Sequence, residues 1–474
     1  MQKKIIILCT VILIVVMEAL FALIGALMPG PFTGTVTDAE TNEPIANVSV
    51  SDGRNVVKTD ENGAYTLPGY SKSRFVTVTT PAGYWTENYY IPVTKDRETY
   101  DFRLDKSEKT AQADHSFLQI SDSEIGAKGV GAWIEHVRDT VKETDPAFLI
   151  RTGDICYEDG LKQHIKDMNT ENMGVPVRYV IGNHDYVAGK YGEALFESIY
   201  GPVWYSFDVG NVHYVVTPFQ TGADYASGYN KNDRWKWLEN DLANVEPGMK
   251  VVMFNHTKAP SDDYVLSYGL KKLDLKEHDL IAWVYGHYHY NYITETDGVL
   301  NISTGRPDCG GIDSSASGSR LISITANGQV STQMYYYDFE QPQAPDGANW
   351  SAQLEGNLLF ADPLAVGNQI FAATVDDDYP RTCGVYSLNA ADGSVNWFFK
   401  TLNSVKNKLV YANGKIVAQD CEGTVYCLNA ETGALLWQKK VDLGGSLGTS
   451  SGLCADGSTV YAGCAASITA LDLE

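Results

Sequence analysis

Three hydrophobic rhythms divide the chain. Between residues 33 and 104, short β-branched runs at 34–38, 47–50 and 75–78 alternate with polar turn clusters such as 58–63, the pattern of half-buried strands in a small all-β sandwich. From 114 to 338 mostly apolar runs at 117–120, 147–150, 177–181, 251–254 and 281–284 read as buried strands, and 130–141 has helical spacing. Each of these strands ends at a polar cluster: Asp122; Gly153-Asp154; Gly182-Asn183-His184-Asp185; Asn255-His256; Gly286-His287-Tyr288-His289. Side chains at the ends of neighbouring strands converge on one crevice, the usual ligand-binding place of an α/β sheet.

The third rhythm is a repeat. After the linker 341–347, residues 385–397 (VYSLNAADGSVNW) align without a gap onto 425–437 (VYCLNAETGALLW), an offset of 40 that is the spacing of propeller blades. Asn349-Trp350 matches the end of an earlier unit, and 469–472 the middle of a later one. The units are similar to the repeats of quinoprotein-like β-propellers. About three fit, fewer than the ~4 to 8 that close a propeller, so a partial propeller with an open edge is expected, truncated or completed from elsewhere.

The N-terminus carries Lys3 and Lys4, an uncharged apolar run at 5–16, and a second at 19–28 after Glu18. This predicts export, by a signal peptide or by a membrane anchor over 5–28; as an anchor, Glu18 would cost roughly 2.5 to 3.5 kcal/mol. The location expected is extracytoplasmic: periplasm, cell surface or secreted, with the membrane a partner if the segment stays uncleaved. Five of the eight cysteines follow residue 380 with no Cys-x-x-Cys pair and no nearby histidine, which excludes a zinc site there and leaves buried thiols or export-permitted disulfides.

Charge narrows the chemistry. With 36 Lys+Arg against 59 Asp+Glu the net charge is −23, so nucleic acid is not an expected partner, and an anionic substrate needs local cations. All nine histidines fall between His115 and His289, which confines histidine chemistry to one domain. His115, His136, His164, His213 and His278 stand outside the clusters and read as structural.

The order and spacing of the strand-end clusters resemble the calcineurin-like metallophosphoesterases. In the sandwich, Asp60-Glu-Asn-Gly63 followed by Ala64-Tyr-Thr-Leu67 resembles the carboxypeptidase regulatory-like modules, which implies a spacer or packing role; the Asp60 loop reads as a turn rather than a calcium site. The fold class expected is therefore multidomain: a signal or anchor at 1–31, a β-sandwich at 32–106, an α/β metallophosphoesterase sandwich at 107–340, and partial β-propeller repeats at 341–474.

Two cations about 3.5 to 4 Å apart can clamp the attacking and leaving oxygens of an in-line displacement if one carboxylate bridges them, and Asp154 suits that bridge. The resemblance implies two divalent ions (Mn, Fe, Zn or Mg), with Asp122, Asp154 and His289 at site one and Asp154, Asn183, His256 and His287 at site two. Where the family usually has a histidine two residues after the first aspartate, this chain has Glu124, expected as an oxygen ligand favouring harder metals. His184 is implied as the group facing the scissile oxygen. Relatives orient it with an aspartate where Tyr157 stands here, leaving Glu158 or Asp159 as substitutes; Arg306, Lys258 and Tyr157 are candidate phosphate contacts.

The function expected is an extracytoplasmic binuclear-metal phosphoesterase that hydrolyses a small phosphate mono- or diester by metal-bound hydroxide attack. The alternative is a cell-surface binding protein with a catalytically weak phosphoesterase fold. A quinone-dependent dehydrogenase is disfavoured, because three blades cannot enclose the cofactor.

Overall fold

Strict alternation shapes the first domain of the computed structural model, which describes residues 30–124, 130–218, 225–307, 318–337, 343–358, 361–375, 382–442, 450–464 and 467–474. Phe32–Asp38 buries every second side chain and lies between Ala64–Leu67, antiparallel, and Phe102–Lys106, parallel. Tyr84–Trp85 completes this sheet, and Val56–Lys58, Ser49–Ser51, Phe75–Val78 and Tyr90–Pro92 form a second of four strands. Val36, Val50, Leu67, Val76 and Leu104 are buried. Asp60 Oδ1 accepts the amides of Asn62 and Ala64, each at 2.9 Å, so the Asp60 loop is a side-chain-capped turn, as read from sequence.

The sandwich is built into the next domain rather than tethered to it. Thr80 bridges Phe207 as in a sheet, and the buried Arg178 guanidinium stacks 3.7 Å from the Trp85 ring centre and 4.1 Å from that of Tyr89. Arg74 donates to Glu197 at 2.7 Å and lies 3.6 Å over Tyr191. Cation–π contacts are strongest when water is excluded, so these arginines fasten two structures that sequence alone separates.

The second domain packs two sheets. In one, Val177–Tyr179, Phe148–Arg151 and His115–Ile120 run parallel, with Gly318–Ile324 antiparallel beside the last. In the other, Tyr205–Val209, Val212–Val216, Lys250–Phe254, Leu280–Tyr285 and Val299–Ser303 lie side by side, the last four parallel. Phe117 and Phe148 stack at 4.9 Å and meet Tyr214 and Phe254 of the opposite sheet edge-on at 5.0 to 6.2 Å, a dry aromatic core between the layers. The helices Val130–Thr144 and Tyr157–Asp167 follow the first two strands.

The chain divides into two compact units, one running to Asn291 with Glu295–Val330, the other comprising Tyr292–Thr294 with Ser331–Glu474. In the second unit the 40-residue repeat is exact down to its irregularities. Gly384–Asn389 and Thr424–Asn429 each pair with an outer strand through a bulge at the same place, Ser387/Leu388 and Cys427/Leu428. Each repeat tryptophan donates Nε1 to a carbonyl of the following repeat: Trp350 to Ala390 at 3.0 Å, Trp397 to Ala430 at 3.2 Å and Trp437 to Leu473 at 3.4 Å. Apolar clusters join neighbouring sheets, Phe371 and Val385 with Ile416 and Tyr426, then Val417 and Val425 with Val460 and Ala462, as stacked repeats require.

Among the described cysteines, Cys156, Cys421, Cys427, Cys454 and Cys464 are free thiols, and Cys156, Cys383, Cys427 and Cys464 are buried. Cys9, Cys309 and the apolar run at 5–28 lie outside the described residues. Among the described residues no helix is long and apolar enough to cross a membrane.

Candidate metal centre

Parallel strands deliver the site. Asp122 follows His115–Ile120, Asp154 follows Phe148–Arg151, Asn183 opens the short turn Asn183–Asp185 after Val177–Tyr179, His256 follows Lys250–Phe254, and His287 and His289 follow Leu280–Tyr285. Two groups result whose donor atoms all lie within 4.8 Å of one another: Asp154, His256 and His287, and Asp122, Asp154 and His289. Asp154 belongs to both, the place expected for the bridging carboxylate. Asn183 joins the first group, with Oδ1 3.2 Å from His256 Nε2.

The hydrogen bonds fix which atoms are available. His256 Nδ1 lies 2.7 Å from the Thr152 carbonyl, which can only accept, so Nδ1 carries the hydrogen and Nε2 presents its lone pair. Around Nε2 gather Asp154 Oδ2 at 3.1 Å, Asn183 Oδ1 at 3.2 Å and His287 Nδ1 at 3.2 Å. Asp122 accepts from Ser121 Oγ at 2.5 Å and from the His287 amide at 2.9 Å, and its Oδ1 is 3.4 Å from His289 Nε2.

Buried lone pairs do not converge without a positive charge between them. Without a cation a proton has to serve: burial opposes charge on His256, yet Asp154 beside it lifts the imidazole to about 9. Asp154, which burial would raise, is held at about 2 by His256 and by the His184 amide, 3.0 Å from Oδ1. A divalent ion bound by these oxygen and imidazole donors would relieve the same crowding, so the residues present fit a two-ion centre.

Conformational strain concentrates here. Of the non-glycine residues with positive φ among those described, Asp122, Glu124, Asp154, Cys156, Tyr157, His287 and His289 all stand at the site, with φ from 43° to 72°; such geometry persists where surrounding structure imposes it. The cluster glycines allow the close approach. A Cβ on Gly182 would overlap Asp154, and one on Gly286 would overlap Ser121 and Asp122.

The remaining residues frame the mouth. Glu124 stands outside both tight groups, its Oε1 4.0 Å from His289 Nε2 and its Oε2 accepting from Arg306 Nη2 at 2.8 Å. Arg306 Nη1 also lies 3.5 Å from His289 Nδ1, and Lys258 is half-buried two residues beyond His256. His184 keeps Nδ1 3.4 Å from the Tyr157 hydroxyl. Glu158 instead pairs with Lys162 along the exposed helix face.

Three supports went unread in the sequence. The Thr152 carbonyl has no side-chain signal. Asp185, inside the Gly-Asn-His-Asp cluster, accepts the amides of Cys156 at 2.9 Å and Gly182 at 2.8 Å, tying two ligand-bearing loops together. Buried Arg151 donates to the Asp154 carbonyl at 3.0 Å, and its place two residues before Gly153-Asp154, at the end of an otherwise apolar strand, was the available hint.

The same division appears in comparisons with known proteins. Residues 115–291 match the family described as Calcineurin-like phosphoesterase, residues 30–107 the N terminal of Calcineurin-like phosphoesterase, and residues 343–474 the Outer membrane protein assembly factor BamB. A tetrathionate hydrolase of Acidithiobacillus ferrooxidans is 26% identical over 112 residues, covering 19% of this chain and 22% of its own length; the chain thus spans about a fifth of that relative. Similar solved structures include a dimetal phosphatase from Danio rerio (12% identity, 46% of this chain and 95% of that one, TM-score 0.35) and BamB from Moraxella catarrhalis (18% identity, 32% and 40%, TM-score 0.22). The N-terminal sandwich and the domain that carries the candidate site thus both match models of the calcineurin-like phosphoesterases, and a BamB-like repeat region follows them.

Proposed function

We propose that this protein hydrolyses small phosphate mono- or diesters outside the cytoplasm, using two divalent ions held by Asp122, Asp154 and His289 and by Asp154, Asn183, His256 and His287. The observation that carries this reading is the sharing of Asp154 between two donor groups. Bound there, a pair of ions supplies Lewis acidity and an activated water. Glu124 completes the first donor set through Oε1 while Arg306 retains Oε2. His184 hydrogen-bonds the phosphoryl or leaving-group oxygen, and Arg306, at the mouth beside His289, neutralises the phosphate. The placement outside the cytoplasm rests on Lys3, Lys4 and the apolar run that follows, as does membrane attachment through residues 5–28.

The test is a phosphate-release screen on purified full-length chain reconstituted with Mn, Fe, Zn or Mg. Turnover of a phosphoester that stops on chelation and returns with the ion is the expected result. Absence of turnover with every metal, across monoesters and diesters, would leave the binding-protein alternative.

A further inference from the structure

Each donor group of the metal centre is assembled across the seam between two sheets. Asp122 and Asp154 follow strands of one sheet, whereas His256, His287 and His289 follow strands of the other. The seam beneath them is filled by Phe117, Phe148, Tyr214 and Phe254. Apolar burial is non-directional, yet a metal site needs its donors placed to within about 0.5 Å, so directed bonds have to supply the precision.

Those bonds come from two side chains that face each other on neighbouring strands. Gln119 interrupts the otherwise apolar run Phe117-Leu-Gln-Ile120, is paired in register with Arg320, and like it is fully buried. Gln119 Nε2 donates to the Tyr285 carbonyl at 2.8 Å and to Thr152 Oγ1 at 3.1 Å, while its Oε1 accepts from Thr304 Oγ1 at 2.7 Å. Arg320 donates from Nε to Thr304 Oγ1 at 3.1 Å and from Nη2 to the Ser303 carbonyl at 3.3 Å. Tyr285 and Ser303 end strands of the opposite sheet, and Thr304 follows directly. The direction of every bond in this relay is fixed from its two ends. A carbonyl only accepts and a guanidinium only donates, so the Thr304 hydroxyl, receiving from Arg320, gives its hydrogen to Gln119, and the Gln119 amide has one orientation.

The relay stands directly behind the ligands. Gln119 lies three residues before Asp122, Tyr285 two before His287, and Thr152 two before Asp154; the Thr152 carbonyl also meets His256 Nδ1 at 2.7 Å. We propose that Gln119, oriented by Thr304 and Arg320, is a positioning residue that sets the distance between the carboxylate-bearing and the histidine-bearing sheet, and through it the spacing of the two ions. This rests on the two-ion phosphoesterase reading above. An amide suits the task because it is neutral, and here it uses both donor hydrogens and its acceptor in fixed directions.

Manganese titration and electron paramagnetic resonance of the full-length chain test this, the first reading affinity and the second the magnetic coupling of two ions, which depends on their separation. Gln119→Met is close in volume and makes none of the three bonds; it should alter the coupling and lower manganese affinity by about 10- to 100-fold. Thr304→Val keeps the shape and loses the hydroxyl, so it should shift both readings the same way by a smaller factor, and Thr304→Ser should restore the native values. Adding Thr304→Val to Gln119→Met should bring little further loss, since both remove one link. A merely structural role would lower the melting temperature and leave coupling and affinity native in the folded protein. That result in Gln119→Met, or in Thr304→Val should Gln119→Met not fold, overturns the proposal while the two-ion reading stands. Equal losses in Thr304→Ser and Thr304→Val assign the effect to packing and overturn it too. A native chain that binds no coupled manganese pair removes the two-ion reading and the proposal with it.

Discussion

His256 and Thr152 stand 2.7 Å apart, ring nitrogen to carbonyl oxygen, and this one bond decides which face of the imidazole meets Asp154. Because Nδ1 is committed to Thr152, Nε2 is directed at the Asp154 carboxylate 3.1 Å away, and the bridging position depends on that carboxylate being an anion. We expect Asp154→Asn to lower hydrolysis by about a thousandfold or more and to reduce metal content at both positions. Metal analysis beside steady-state kinetics checks this; two tightly held ions with native turnover would contradict it.

Glu124 divides its oxygens between Arg306 and the space beside His289. If Oε1 is a ligand, Glu124→Ala weakens the ion at Asp122 and His289 more than the other, and Glu124→His keeps two ions while shifting preference toward softer metals. Competition titrations with Mn and Zn read both effects. Unaltered content and selectivity in Glu124→Ala would make the residue solely the anchor of Arg306.

The convergence of the candidate ligands was legible in the sequence because each follows an apolar strand, so a strand-end reading brings Asp122, Asp154, Asn183, His256, His287 and His289 to one crevice, while their division into two sets came from the resemblance. Tyr157 was visible as a departure from the family pattern, but the approach of its hydroxyl to His184 Nδ1, at 3.4 Å, was not. The left-handed turns at Cys156 and Tyr157 belong to residue types that carry no signal for them, so the neighbouring acids Glu158 and Asp159 looked the better partners of His184. The sandwich read as a spacer or packing module, and the contacts by which it packs were not legible for a similar reason. Arg74 and Arg178 meet their aromatic and acidic partners across roughly ninety to more than a hundred residues of chain, a separation at which pattern carries no information.

His213, which stands outside the strand-end clusters, sits between Asp208 at 2.7 Å and Asp241 at 3.0 Å. Burial opposes its charge, but Asp241 and Asp208 prevail and lift it to about 10. The folded value lies above the ~6.5 of an unfolded chain, so the stability from this pairing is complete below about pH 6.5 and is lost as pH rises through 10. We expect denaturant unfolding of the native chain to weaken across that window by up to ~1.4 kcal/mol per pH unit more than unfolding of His213→Gln. Parallel pH curves for the two proteins would refute the assignment.

Among the described residues, both donor groups draw on side chains that precede Asn291. A chain ending near residue 340 should therefore keep its metals and most of its phosphoesterase activity, with the BamB-like repeats serving another purpose. Metal content and kcat of the truncated protein decide it, and loss of the ions would show that the two units are not functionally separate.

Asp154 is shared by the two donor groups and is expected to join two metal positions. Anomalous scattering from crystals of the manganese-loaded full-length protein tests it most directly. Two peaks are expected about 3.5 to 4 Å apart, both within bonding distance of Asp154, one beside Asp122 and His289 and the other beside Asn183, His256 and His287. A single peak, or two peaks that do not share Asp154, would contradict it.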